Sequence, residues 1–128
     1  MGLNMNKIIL VVDDNPTHRK LIRVLLAGCG YSVYEAETGR QALERVRACA
    51  PDLIVLDYRL PDINGVEVSR NLKAESAYVS IPIIMVSALS VNEMSARIVL
   101  NSTCAEYMTK PIDVHTLVSA VQRHIGRA

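Results

Sequence analysis

Five short apolar runs alternate with stretches of helical period, and this alternation restricts the chain to one kind of architecture. The runs are "IILVV" at 8–12, "YSVYEA" at 31–36, "LIVL" at 53–56, "PIIMVSA" at 82–88 and "CAEYMT" at 104–109, mostly bounded by turn or capping residues, as strands are. Between them Leu21, Ile22, Leu25 and Leu26 mark one helical face, and Ala42, Leu43 and Val46 a second. Val114, Leu117, Val118, Val121 and Ile125 mark the last and clearest. Weaker helical patterns follow Asn64 and surround Val91, where Ser, Asn and Glu interrupt the spacing. Asp14 or Asn15 before Pro16 opens the first helix, Thr38 with Gln41 forms a capping box for the second, and Asp113 caps the last. Strands alternating with helices imply a parallel sheet covered on both faces, since parallel neighbours need a crossover and the crossover is right-handed. The most apolar runs, 8–12 and 53–56, belong at its centre.

Open sheets of this kind collect ligands at the carboxyl ends of their strands, near the point where strand order reverses. The strand exits carry Asp13 and Asp14 after the first run, Asp57 after the third, Ser87 and Ala88 after the fourth, and Lys110 before Pro111 after the fifth. In "LIVLDYRLPDING", residues 53–65, a buried run stops on a carboxylate, and Pro61 and Gly65 then break the chain into a loop. Three acids brought together raise one another's pKa unless a cation sits among them, and hard oxygen donors without His or Cys favour Mg²⁺. Mg²⁺ keeps several waters, which leaves coordination free for phosphate oxygens. Carboxylates can act as nucleophiles and form acyl phosphates, and Asp57, at the centre, is the natural attacker. The Lys110 ammonium and the Ser87 hydroxyl then neutralise the oxygens of the transferring group.

These residues resemble the receiver domain of two-component response regulators across essentially the whole length. "VVDDN" at 11–15 is similar to the family's acidic metal pocket, and "DYRLPDING" carries its DxxxPxxxG pattern with Asp57 as phosphoacceptor. "MVSA" at 85–88 resembles the strand that ends in the phosphate-sensing hydroxyl, here Ser87. "YMTKP" at 107–111 supplies the switch aromatic Tyr107, the phosphate-binding Lys110 and a Lys110–Pro111 bond that is usually cis in the family. The resemblance implies a flavodoxin-like (βα)5 three-layer sandwich, a central parallel five-stranded sheet of order 2-1-3-4-5 with helices on both faces. It also implies Mg²⁺ (or Mn²⁺) held by Asp13, Asp14, Asp57 and the backbone carbonyl of Arg59. Departures are Thr103-Cys104 where relatives often have Gly-Ala, and Tyr58 where an aliphatic residue is frequent. Arg59 and Leu89 fall where the family tunes the lifetime of the acyl phosphate.

The implied function is a phosphorylation-dependent signalling switch. Asp57 takes a phosphoryl group from a sensor histidine kinase or a histidine phosphotransfer protein, and the surface around the helix near Val91, the fifth strand and the last helix changes for a downstream protein target. The same surface offers a place for homodimer pairing. The alternatives are a hybrid-kinase receiver serving as phosphorelay intermediate, a passive docking module, and an aspartyl-nucleophile phosphohydrolase. The last needs a second carboxylate two residues after the nucleophile, and Arg59 stands there, so turnover of external substrates is not expected.

With 128 residues the chain is the size of one domain, expected as a receiver domain over 1–128 with its core at about 7–126 and no output domain. A formal net charge of +1 gives no electrostatic footprint for nucleic acid. No apolar run approaches the ~18 residues that span a bilayer, and "MGLNMNK" lacks a signal peptide's hydrophobic region, so neither membrane nor secretion is expected. Cys29, Cys49 and Cys104 are odd in number and widely spaced in apolar surroundings, which fits core filler in a reducing cytoplasm. His18, His115 and His124 lack ligand spacing and read as ordinary surface or boundary side chains.

Overall fold

The computed structural model describes residues 6–88 and 104–128. The helix expected near Val91, with Leu89 and Thr103, lies outside them. The elements are β1 (Ile8–Val12), α1 (Pro16–Gly28), β2 (Ser32–Ala36), α2 (Gly39–Cys49), β3 (Leu53–Asp57), α3 (Gly65–Lys73), β4 (Ile83–Ser87), β5 (Glu106–Thr109) and α4 (Val114–Ile125). All five strands pair in parallel in the order β2-β1-β3-β4-β5, as the resemblance implies.

Alternation along each strand sends side chains to two separate cores. Ile9, Val11, Val55, Ile84 and Val86 meet Ile22 and Leu26 of α1 and Leu117 and Val121 of α4. Leu10, Val12, Ile54, Leu56 and Met85 meet Ala42 and Val46 of α2 and Val66, Val68 and Leu72 of α3. Each buried Val, Leu or Ile contributes roughly 1.5–3 kcal/mol relative to exposure, so the doubly covered strands dominate stability. Every residue of β3 and β4 is buried. With both faces apolar, alternation alone cannot select the register of β3. The polar residue at its exit does, because a slip inward would draw the Asp57 charge into the core.

Local chemistry sets the helix starts. Asn15 Oδ1 accepts from the N–H groups of Thr17 and His18, and Pro16 follows as the first helical residue. Thr38 Oγ1 accepts from the Gln41 N–H at 3.0 Å, half of the expected capping box. Gln41 Oε1 returns to the Glu37 N–H at 2.6 Å, one residue earlier than the box requires. Asn64 caps α3 and Asp113 caps α4. Leu21 is 59% exposed, so α1 buries a narrower stripe than its apolar spacing suggested. The cysteines also depart from core filler: Cys29 is exposed at the end of α1, and Cys49 and Cys104 are half-buried. Among the described residues no helix is long and apolar enough to cross a membrane.

Candidate functional site

The carboxyl ends of β1, β3, β4 and β5 converge on one polar cluster. Pairing of β1 with β3 sets Val12 beside Leu56, so Asp13 and Asp57 leave the sheet side by side. Carboxylate oxygens of Asp13, Asp14 and Asp57 lie within 4.8 Å of one another. Asp13 and Asp57 are buried, whereas Asp14 is exposed. Lys110 enters from the end of β5 and donates to Asp57 Oδ2 at 2.9 Å and to Asp13 Oδ2 at 3.4 Å. Its backbone N–H donates to the Ser87 carbonyl at 2.7 Å, which brings the ends of β4 and β5 together beside the acids. Ser87 is fully buried. The Lys110–Pro111 peptide is cis. Tyr107, half-buried, stands opposite Met85 and packs on the core beneath α2 and α3.

The loop after β3 is held tightly. Asp57 Oδ1 accepts from the Arg59 N–H at 3.1 Å, and the Gly65 N–H donates to the Tyr58 carbonyl at 2.8 Å. Gly65 permits that approach: a Cβ there would sit 2.7 Å from Met85 Sδ and 2.8 Å from the Asp57 carbonyl oxygen. The motif glycine therefore lets α3 begin directly against the exit of β3.

Electrostatics divides the acids. Burial opposes ionisation of Asp13, but the Asn15 N–H, His18 and Lys110 outweigh it, and its pKa is lowered. Burial also raises Asp57, and there it prevails: the Lys110 hydrogen bond and the Arg59 N–H oppose it, while the nearby Asp13 charge adds to it. Desolvation works against charged Lys110, yet the bond and charge of Asp57, with Asp13 behind, raise its pKa. The donor set offered by the three acids is all oxygen, which suits a hard divalent cation.

Some site residues were not legible in the sequence. His18, read as an ordinary side chain, places Nδ1 against Asp13 Oδ2 from the first turn of α1. The cap at Asn15 sets that turn, so its position five residues after Asp13 was the available signal. Arg19 donates from Nη1 to the Asp13 carbonyl at 2.7 Å and from Nε to Glu35 Oε1 at 2.9 Å. Asp62, in the loop after β3, accepts from the Gly39 and Arg40 N–H groups at the start of α2. Desolvation works slightly against it, but those N–H groups hold Asp62 down to about 2.

Comparison with known proteins agrees with this geometry. The family model described as response regulator receiver domain matches residues 9–122. The polar-differentiation response regulator DivK of Brucella ovis is 34% identical over 124 residues, covering 97% of this chain and 100% of that protein. The chemotaxis protein CheY4 of Vibrio cholerae has a similar structure, with TM-score 0.86 and 27% identity, covering 94% of this chain and 99% of that one. The receiver domain of the sensor histidine kinase PA1611 from Pseudomonas aeruginosa, described with a magnesium ion coordinated in its active-site cleft, gives TM-score 0.82 and 29% identity over 94% of this chain and 98% of that one.

Proposed function

The chain belongs to the response regulator receiver domain family, and from that premise we propose that Asp57 accepts a phosphoryl group from the phosphohistidine of a histidine kinase. Receivers of this family are phosphorylation-dependent switches of two-component signalling, which implies a histidine kinase as partner. In the proposed step a carboxylate oxygen of Asp57 forms a P–O bond as the P–N bond of phosphohistidine breaks. The observation that carries the reading is the raised, buried Asp57 carboxylate, 2.9 Å from the Lys110 ammonium and grouped with Asp13 and Asp14.

We assign Mg²⁺ or Mn²⁺ to the carboxylates of Asp13, Asp14 and Asp57 with the Arg59 carbonyl. When bound, the cation supplies charge neutralisation for the phosphoryl oxygens. Lys110 holds one such oxygen by its ammonium, and Ser87 offers its hydroxyl to another. As Ser87 moves toward the new group, Tyr107 turns inward, and the surface of β5 and α4 changes for a target or a second copy. The phosphoryl group shifts this equilibrium only by contacting the active form better than the resting one. Arg59 lies where a phosphohydrolase would carry its general acid, so the protein turns over no external phosphate ester. We take residues 1–128 as one receiver domain, core about 7–126, working in the cytoplasm.

Incubated with a small-molecule phosphodonor and Mg²⁺, the wild-type protein gains an acid-labile label and Asp57→Asn gains none. Labelling of Asp57→Asn at the wild-type rate removes Asp57 as acceptor. The similarity to the receiver of a sensor histidine kinase favours a second reading, a phosphorelay intermediate. Transfer of the label from Asp57 to a histidine phosphotransfer protein distinguishes it.

A further inference from the structure

We infer that Arg19 is a positioning residue for the acidic site: its guanidinium ties the Asp13 carbonyl to Glu35 on β2 and so fixes the peptide from which Asp13 and Asp14 hang. The inference rests on the reading of that cluster as a divalent-cation site. Arg19 Nη1 donates to the Asp13 carbonyl at 2.7 Å, and Nε of the same group donates to Glu35 Oε1 at 2.9 Å. The guanidinium is planar and rigid, so the two bonds are coupled: anchoring one end on β2 sets the other. Arg19 is itself mostly buried, with a side chain 13% exposed.

The pinned carbonyl belongs to the Asp13–Asp14 peptide. That unit is planar, so holding its oxygen fixes the plane from which the Asp14 Cα departs. Asp13 has further supports, because its carboxylate accepts from the Asn15 N–H at 2.9 Å and from Lys110 at 3.4 Å. Asp14 is exposed, and its place among the three acids follows from the backbone that carries it. Arg23 provides an internal control. Its Nε lies 3.1 Å from Glu35 Oε2, within ion-pair distance though not aligned as a hydrogen bond. No contact joins it to the Asp13 carbonyl among the hydrogen bonds of the described residues.

Charge alone predicts the opposite sign. Deleting a cation near three carboxylates strengthens attraction for Mg²⁺, so weaker binding after loss of Arg19 reports lost geometry. Mg²⁺ titration of the full chain by calorimetry tests this, with thermal melts of each variant alongside. Arg19→Gln is expected to weaken Mg²⁺ binding about tenfold, the usual scale for losing a group that orients a metal ligand. Arg19→Lys keeps the charge, loses the fork and weakens binding too; it stands in if Arg19→Gln does not fold. Arg23→Gln binds Mg²⁺ as the wild type does or more tightly. In metal-free protein, amide exchange at Asn15 quickens in the Arg19 variants and not in Arg23→Gln. Mg²⁺ binding by both Arg19 variants at or above wild-type strength overturns the inference. A wild-type protein that itself fails to bind Mg²⁺ overturns the cation reading instead, and Asn15 exchange then decides the role of Arg19: unchanged exchange overturns it, and faster exchange supports it.

Discussion

The exits of β1 and β3 each present a buried aspartate to the same lysine, yet Asp13 is lowered and Asp57 raised. Burial pushes both upward. What differs is the number of partners left to oppose it. Asp13 sits at a turn that closes into a capped helix, so it gathers the Asn15 N–H and His18 in addition to Lys110. Asp57 begins a loop, where the Arg59 N–H and Lys110 are its donors, and the Asp13 charge works against it. The acid left in deficit gains most from a further cation. Environment, with residue type held constant, sets the two carboxyl groups apart.

Three further measurements can break or sharpen this contrast. The largest effect is expected from Lys110→Ala, which removes the main support of Asp57 and a lesser one of Asp13. Labelling by a phosphodonor should slow on the order of 100-fold at fixed Mg²⁺, the scale for losing one donor to a charged reacting group. An unchanged rate would detach the ion pair from the chemistry. Next is Gly65→Ala, whose methyl group collides with Met85 and the Asp57 carbonyl. Denaturant unfolding should show a loss of about 1–3 kcal/mol, the usual cost of overpacking. Carboxyl carbon resonances should move at Asp57 and stay at Asp13, and movement at both would mean that the two exits are not independent.

The smallest effect is in pH dependence, measured without metal. Because the folded pKa of Asp57 is raised above its ordinary value of 3.8, its contribution is fully present below that value and lost as pH rises through the folded pKa. Asp57→Asn should therefore gain stability relative to wild type as pH rises from about 4. Asp13 has the reverse sign: its contribution is present above 3.8 and lost as pH falls through the lowered folded pKa. Wild type should exceed Asp13→Asn by a margin that shrinks on acidification. Parallel curves for the two variants would erase the distinction between the exits.

The sequence by itself determined the alternation of strands and helices, the caps at Thr38 and Asp113, a first-helix cap at Asp14 or Asn15, and the gathering of Asp13, Asp14, Asp57 and Lys110 at one end of the sheet; the structure selected Asn15. These are legible because strand and helix periods and cap chemistry are local, and a parallel sheet sends every strand exit to the same side. Tertiary structure alone decided that Leu21 faces solvent, that Cys29 is exposed, that Asp62 reaches the start of α2 from the loop after β3, and that Arg19 links Glu35 to the Asp13 carbonyl. It also decided which aspartate is lowered and which is raised. Such contacts join residues far apart in the chain or at turns where side-chain direction has no period, and a pKa depends on the full set of neighbours within a few ångströms, which exists only after the strands have paired.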